Sequence, residues 1–135
     1  AAKQVAGTST TRDEMMHELE ASLRRLQTDH IEVYFNHAVN NKARLDNPEW
    51  YEFVTKAKAQ GKIAHTGISG HAGRLTEVLD HAIDNELVDV ILAAYNFGQD
   101  PAFYERLTKS FDFVQVHGRG VNRLVLTSLI RGLNF

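Results

Sequence analysis

Apolar positions along the chain switch repeatedly between helical spacing and short unbroken runs, and their order predicts the architecture. Met15, Met16, Leu19, Leu23 and Leu26 recur at helical intervals behind a capping box, with a hydroxyl at Thr11 and a carboxylate at Glu14. The two methionines read as core filler. Ile31–Ala38 is a run of β-branched and aromatic residues with little alternation, as in a strand covered on both faces. Asn40–Asp46 reads as a polar loop, long for an ordinary connection. Asn47 and Pro48 open a second helix that carries Trp50, Phe53, Val54 and Ala57, and Gly61 ends it. Lys62–His71 is the next strand with its exit loop. A third helix is marked by Leu75, Val78, Leu79, Ala82 and Ile83, and a third strand by Val88–Phe97. Pro101 opens a fourth helical segment through Phe103 and Leu107, and Phe111–His117 alternates as a fourth strand. At the start, Lys3 stands where a strand can end, before a loop at Gly7–Thr10. Residues 118–135 fit neither period and form an unplaced C-terminal tail.

Strands alternating with helices at this spacing predict βαβ units and a parallel sheet. No G-x-G-x-x-G opens a helix, which disfavours a dinucleotide-binding Rossmann fold. Polar groups follow successive strands instead: His37, then Ser69 to His71, then Tyr95 and Asn96. The pattern predicts an α/β chain of about four parallel βα units, residues 1–135 forming a single domain, and it favours a TIM-type barrel. Parallel barrels place their chemistry where strands end and loops begin. His37 stands at such a point, and its ordinary pKa near neutrality makes it a candidate proton donor or oxyanion partner. The plainer alternative is a half-buried histidine that bonds a carbonyl.

Composition narrows the field. A length of 135 residues suits one domain, and 43% hydrophobic with 24% charged residues marks a globular chain. A net charge of −2 gives no electrostatic reason to bind nucleic acid or an anionic membrane. No apolar run approaches the ~20 residues of a spanning helix, and residues 1–7 lack the pattern of a signal peptide. The absence of cysteine excludes disulfides and thiolate-ligated metals within this stretch, and the composition fits the cytoplasm. Of the seven histidines, His37, His65 and His71 are placed to converge as metal ligands. No H-x-H pair, H-E-x-x-H helix or carboxylate cluster accompanies them, so no metal is expected. His65 is expected to be half-buried, and His17 and His81 to lie on helix surfaces.

Three segments, in order, resemble the middle of an aldo-keto reductase. Leu19–His37 resembles a helix ending in Ser-Leu-x-x-Leu followed by a strand ending in His. Gly61–Ser69 resembles the Gly-Lys-Ile-Arg-x-x-Gly-x-Ser strand, and Val88-Asp89-Val90 with Tyr95-Asn96 the strand after it. The match runs in register from about Lys3 to Tyr95. It implies an eight-stranded barrel that binds NADPH at its C-terminal face and moves hydride between nicotinamide and a carbonyl or alcohol. By resemblance, His37 orients the substrate carbonyl and stabilises charge on its oxygen. Lys3 matches the lysine that lowers a tyrosine's pKa by its positive charge. Ser69 matches the serine that holds the nicotinamide carboxamide, with Gly70 and Tyr95 as further cofactor-binding positions.

The departures are specific. The family's catalytic Asp and proton-donating Tyr belong to sequence ahead of Lys3. Gly70 stands where Asn is common, and Leu92 stands near a common glutamine whose hydrogen bond leucine cannot make. No phosphate-binding stretch is recognisable after residue 116. Four strands are about half of the eight that the resemblance implies, so the expected fold is a partial (β/α)8 TIM-type barrel, whose two open edges are templates for self-association. The chain thus reads as a truncated or incomplete NADPH-dependent reductase of a small-molecule carbonyl, with little activity alone. The competing class is a non-catalytic barrel relative that acts through protein association.

Overall fold

The computed structural model describes residues 1–70, 74–85, 87–94, 101–102, 105 and 123–127, with residues 94 and 123–127 as backbone. Five strands form one sheet in the order of the chain: β1 (Ala2–Gln4), β2 (Ile31–Asn36), β3 (Ile63–Gly70), β4 (Val90–Ala94) and β5 (Arg123–Thr127). Every neighbouring pair is parallel. Between them run α1 (Arg12–Leu26), α2 (Lys42–Leu45), α3 (Pro48–Ala59) and α4 (Leu75–Asp84). This is a sector of a (β/α)8-type barrel. The fourth strand expected at Phe111–His117 lies outside the described residues. Arg123–Thr127 pairs with β4, so a segment left unplaced by hydrophobic period contains a strand.

Local signals explain the element boundaries. The Thr11 side chain accepts the Glu14 N–H while Glu14 reaches back to the Thr11 N–H at 2.8 Å, completing the capping box. Asn47 caps α3 by accepting from Glu49 N–H, and its own amide donates at 3.0 Å to the carbonyls of both Gly7 and Thr10. One side chain therefore starts a helix and pins the loop after β1. At the other end of α3, Gly61 adopts φ 70°, with the Gly61 and Lys62 N–H groups closing on the Lys58 and Ala57 carbonyls. That is a Schellman stop, for which glycine is suited. The same stop ends α1 on Gln27, at φ 53°, a conformation costly for a residue with a Cβ.

Two apolar clusters lie beneath the helices. One joins Met15, Leu19 and Leu23 of α1 with Trp50, Phe53 and Ala57 of α3 against Ile31, Tyr34 and Ile63. Phe53 stacks at an angle on both Tyr34 (5.9 Å between centroids) and Trp50 (5.4 Å). Burial pushes the Tyr34 phenol up to about 12. The other cluster packs Leu75, Val78, Leu79, Ala82 and Ile83 of α4 on Ile68, Ile91 and Ala93. Asp89 joins β3 to β4 at the sheet's entry end. Its carboxylate takes the Thr66 N–H and Lys58 Nζ, each at 3.0 Å. Burial alone would raise its pKa, but these two donors outweigh it and hold the group below its ordinary value.

Three expectations need correction. Leu26, the last residue of α1, is 54% exposed rather than buried with the rest of the apolar stripe, beside Ala2 and Lys3 of the edge strand β1. The loop Asn40–Asp46 contains the short helix α2, capped by Asn41 on Arg44 N–H. His65 is exposed, 3.8 Å from Asp89, rather than half-buried.

Replacing the strained cap tests this reading of the backbone. Gln27→Gly is expected to stabilise the chain by about 0.5–1 kcal/mol in urea unfolding, since glycine adopts the left-handed turn freely at some entropic cost. A lower unfolding midpoint at unchanged slope would contradict it.

Candidate active site

Strand register brings the site together. Lys3 lies opposite Phe35, and Phe35 opposite Gly67, so these residues form one row across β1, β2 and β3. Residues at one register level point to the same side of a sheet. Lys3, Phe35 and His37 therefore share the side opposite Gln4, Asn36 and the helices. His37 follows the last residue of β2, and its N–H donates to the Gln4 carbonyl at 2.7 Å. The next residue, Ala38, takes φ 53° and turns the chain sharply. Val39 N–H then closes on the Ser69 carbonyl at 2.9 Å, so the exit of β2 is tied to both neighbouring strands.

The side chains converge on the histidine. Lys3 Nζ lies 3.3 Å from His37 Nε2, and Ser69 Oγ lies 2.7 Å from His37 Nδ1. An ammonium has only protons to give, so this contact favours the tautomer in which Nε2 accepts and Nδ1 carries the ring proton toward Ser69. Ser69 Oγ also accepts the Ala38 N–H at 3.2 Å. In that tautomer both lone pairs are engaged, and its own hydroxyl proton is left for another acceptor.

Among the predicted positions, Lys3, His37 and Ser69 are thus in one chain of contacts. Gly70 is buried on the other face, where an added Cβ would meet Leu75 Cδ1 at 2.6 Å and the Val39 carbonyl at 3.3 Å. A side chain at position 70 would displace α4 packing, so this residue offers backbone alone. Leu92 is half-buried and in register with Ser69. Tyr95 lies outside the described residues, as does His71. The convergence of His37 with His65 does not occur. His65 pairs with Val33, four residues before His37, which is about 13 Å along the strand. No group of three or more metal-ligating side chains occurs among the described residues.

Sequence reasoning missed Asn36 and Ala38. Asn36 is fully buried, and its Oδ1 accepts the Ala6 N–H at 3.1 Å, holding the loop after β1. A polar residue inside an apolar run was the available signal. Ala38 carried none, because its left-handed turn is imposed by its neighbours.

Comparison with known proteins identifies the family. The model of the Aldo/keto reductase family matches residues 2–116, and the chain belongs to that family. Its fold is similar to the aldo-keto reductase AKR11C1 from Bacillus halodurans in holo form, with a TM-score of 0.63 and 27% identity over 86% of this chain and 36% of that one. It is similar to an aldo/keto reductase from Klebsiella pneumoniae in complex with NADP and acetate, with a TM-score of 0.62 and 25% identity over 94% of this chain and 40% of that one. An uncharacterized oxidoreductase of Bacillus subtilis, YrpG, is 44% identical over 55 residues, which span 41% of this chain and 16% of that protein. The chain therefore spans well under half the length of these relatives.

The turn at Ala38 is directly testable. Ala38→Val is expected to cost about 1–3 kcal/mol, because a β-branched residue is disfavoured at positive φ. Ala38→Gly should lie within about 1 kcal/mol of the parent, its relief of strain offset by chain entropy. Equal stability of the two variants in chemical denaturation would show that the turn is not strained.

Proposed function

We propose that these residues form the lysine–histidine–serine part of a nicotinamide-dependent carbonyl reductase site. The observation that carries the reading is the Lys3–His37–Ser69 contact chain at the C-terminal ends of three adjacent parallel strands. NADPH is the cofactor that the family and the NADP and NADPH complexes of the Klebsiella pneumoniae relatives support. Its fit to this chain is partial. The Ser69 hydroxyl retains a proton suited to a carboxamide oxygen, while Gly70 and Leu92 supply no side-chain hydrogen bond. When bound, the cofactor supplies the hydride.

The chain's own groups set the charge balance around a substrate carbonyl. Nε2 of His37, turned toward Lys3, is a proton acceptor in this arrangement. Donation from Nε2 to a carbonyl oxygen requires the lysine contact to be exchanged and a proton to reach that nitrogen. A phenol oxygen beside Lys3 would provide that exchange, and by resemblance the family's tyrosine precedes Lys3 in sequence. The isolated 135-residue chain is therefore expected to turn over carbonyl substrates negligibly while retaining some affinity for the nicotinamide.

Titration with NADPH, followed by nicotinamide fluorescence, tests both parts. Saturable binding is expected, weakened about tenfold in Ser69→Ala, the loss of one hydrogen bond. No binding by a folded chain would sink the cofactor assignment. Carbonyl-dependent NADPH oxidation that His37→Ala abolishes would overturn the expectation of negligible turnover.

A further inference from the structure

Strand ends at this site deliver backbone carbonyls, and a single side chain gathers oxygens from two of the loops. Arg44, on α2, is only 8% exposed. Its Nε donates to the Ala6 carbonyl at 2.8 Å, Nη1 to the Ala38 carbonyl at 2.6 Å, and Nη2 to the His37 carbonyl at 2.9 Å and Asn36 Oδ1 at 3.0 Å. None of these partners is a carboxylate. A cation removed from water is costly unless its donors are satisfied, and here the satisfaction comes from four neutral oxygens. Burial lowers the guanidinium pKa from its ordinary value.

The acceptors are not scattered. Ala6 belongs to the loop after β1, and Asn36, His37 and Ala38 are consecutive residues at the exit of β2. Ala38, at φ 53°, is held from both sides, its N–H on Ser69 Oγ and its carbonyl on Arg44. A strained turn persists only where its surroundings over-determine it. Lysine cannot stand in for the fork, since an ammonium is a point charge without the planar spread of donors.

We propose that Arg44 is a positioning residue for His37. The guanidinium fastens the carbonyls on either side of the left-handed turn to the loop after β1, and so fixes where the imidazole projects between Lys3 and Ser69. The consequence for carbonyl chemistry rests on the reductase reading; the positional claim does not.

The test uses the full 135-residue chain and NMR. In the parent, His37 ring nitrogens should report a single Nδ1-protonated tautomer, and the Ala38 and Val39 amides should exchange slowly. In Arg44→Lys, a mixture of ring tautomers is expected, with those amides exchanging at least ~10-fold faster while core amides of α1 and α3 keep their rates. A folded Arg44→Lys chain with parental ring shifts and loop exchange would overturn the proposal. A second arm needs no substitution: the Arg44 Nε–H of the parent should exchange slowly and show coupling across its hydrogen bond to the Ala6 carbonyl. An Nε–H that exchanges as freely as a surface arginine's also overturns the proposal, whether or not the variant folds. Failure of the parent to bind NADPH removes the reductase reading and leaves these measurements to decide the role of Arg44.

Discussion

The register of β1 on β2 and of β2 on β3 is the constraint on which the site depends. It sets Lys3 level with Phe35 and Phe35 level with Gly67, and His37 follows two residues further along β2. A slip of one residue would turn every side chain of a strand to the opposite face, burying Lys3 against the helices. Packing enforces the alignment. The Phe35 ring lies across Gly67 so closely that a Cβ there would sit 2.5 Å from Cε1, with the Val90 carbonyl at 2.9 Å on the far side. Glycine at this position lets an aromatic ring lie flat on the next strand.

Polar groups at the strand exits make up the second half of the arrangement. Asn36, Asn47, Ser69 and Arg44 each bond backbone groups from a different loop or strand. The loops after β1 and β2 are thereby joined by hydrogen bonds into one unit, with no cluster of three metal-ligating side chains among the described residues. The satisfaction is incomplete. Gln4 and Asn36, paired across β1 and β2, each bury an amide nitrogen with no partner among the described residues. Such orphan donors cost about 1–3 kcal/mol each. Departures of this kind concentrate at functional sites, where geometry is held against local preference.

The match over residues 2–116 shows kinship, and the parallel sheet shows the fold. The chain spans 36–40% of the length of the solved relatives described above, so the activity of those complete barrels does not transfer with the fold. What this chain itself holds is a local constellation, the lysine, histidine and serine in contact at the strand exits.

The sequence by itself determined the alternation of strands and helices, the caps at Thr11, Asn47 and Gly61, and the apolar faces of α1, α3 and α4. These are local matters of period and backbone preference, and each is written within a dozen residues. It also pointed to His37, because a histidine closing an apolar strand is a local pattern. Other features were settled only by packing between distant segments. Lys3 and His37 meet across 34 residues and His37 and Ser69 across 32, distances over which hydrophobic period carries no information. Arg44 sits in a stretch that reads as a polar loop, and nothing nearby foretells that its guanidinium is buried. Its acceptors come from Ala6, 38 residues earlier, and from a turn whose left-handed conformation is imposed from outside. A charge belongs in the interior only where several oxygens already converge, and that convergence is a property of the folded sheet alone.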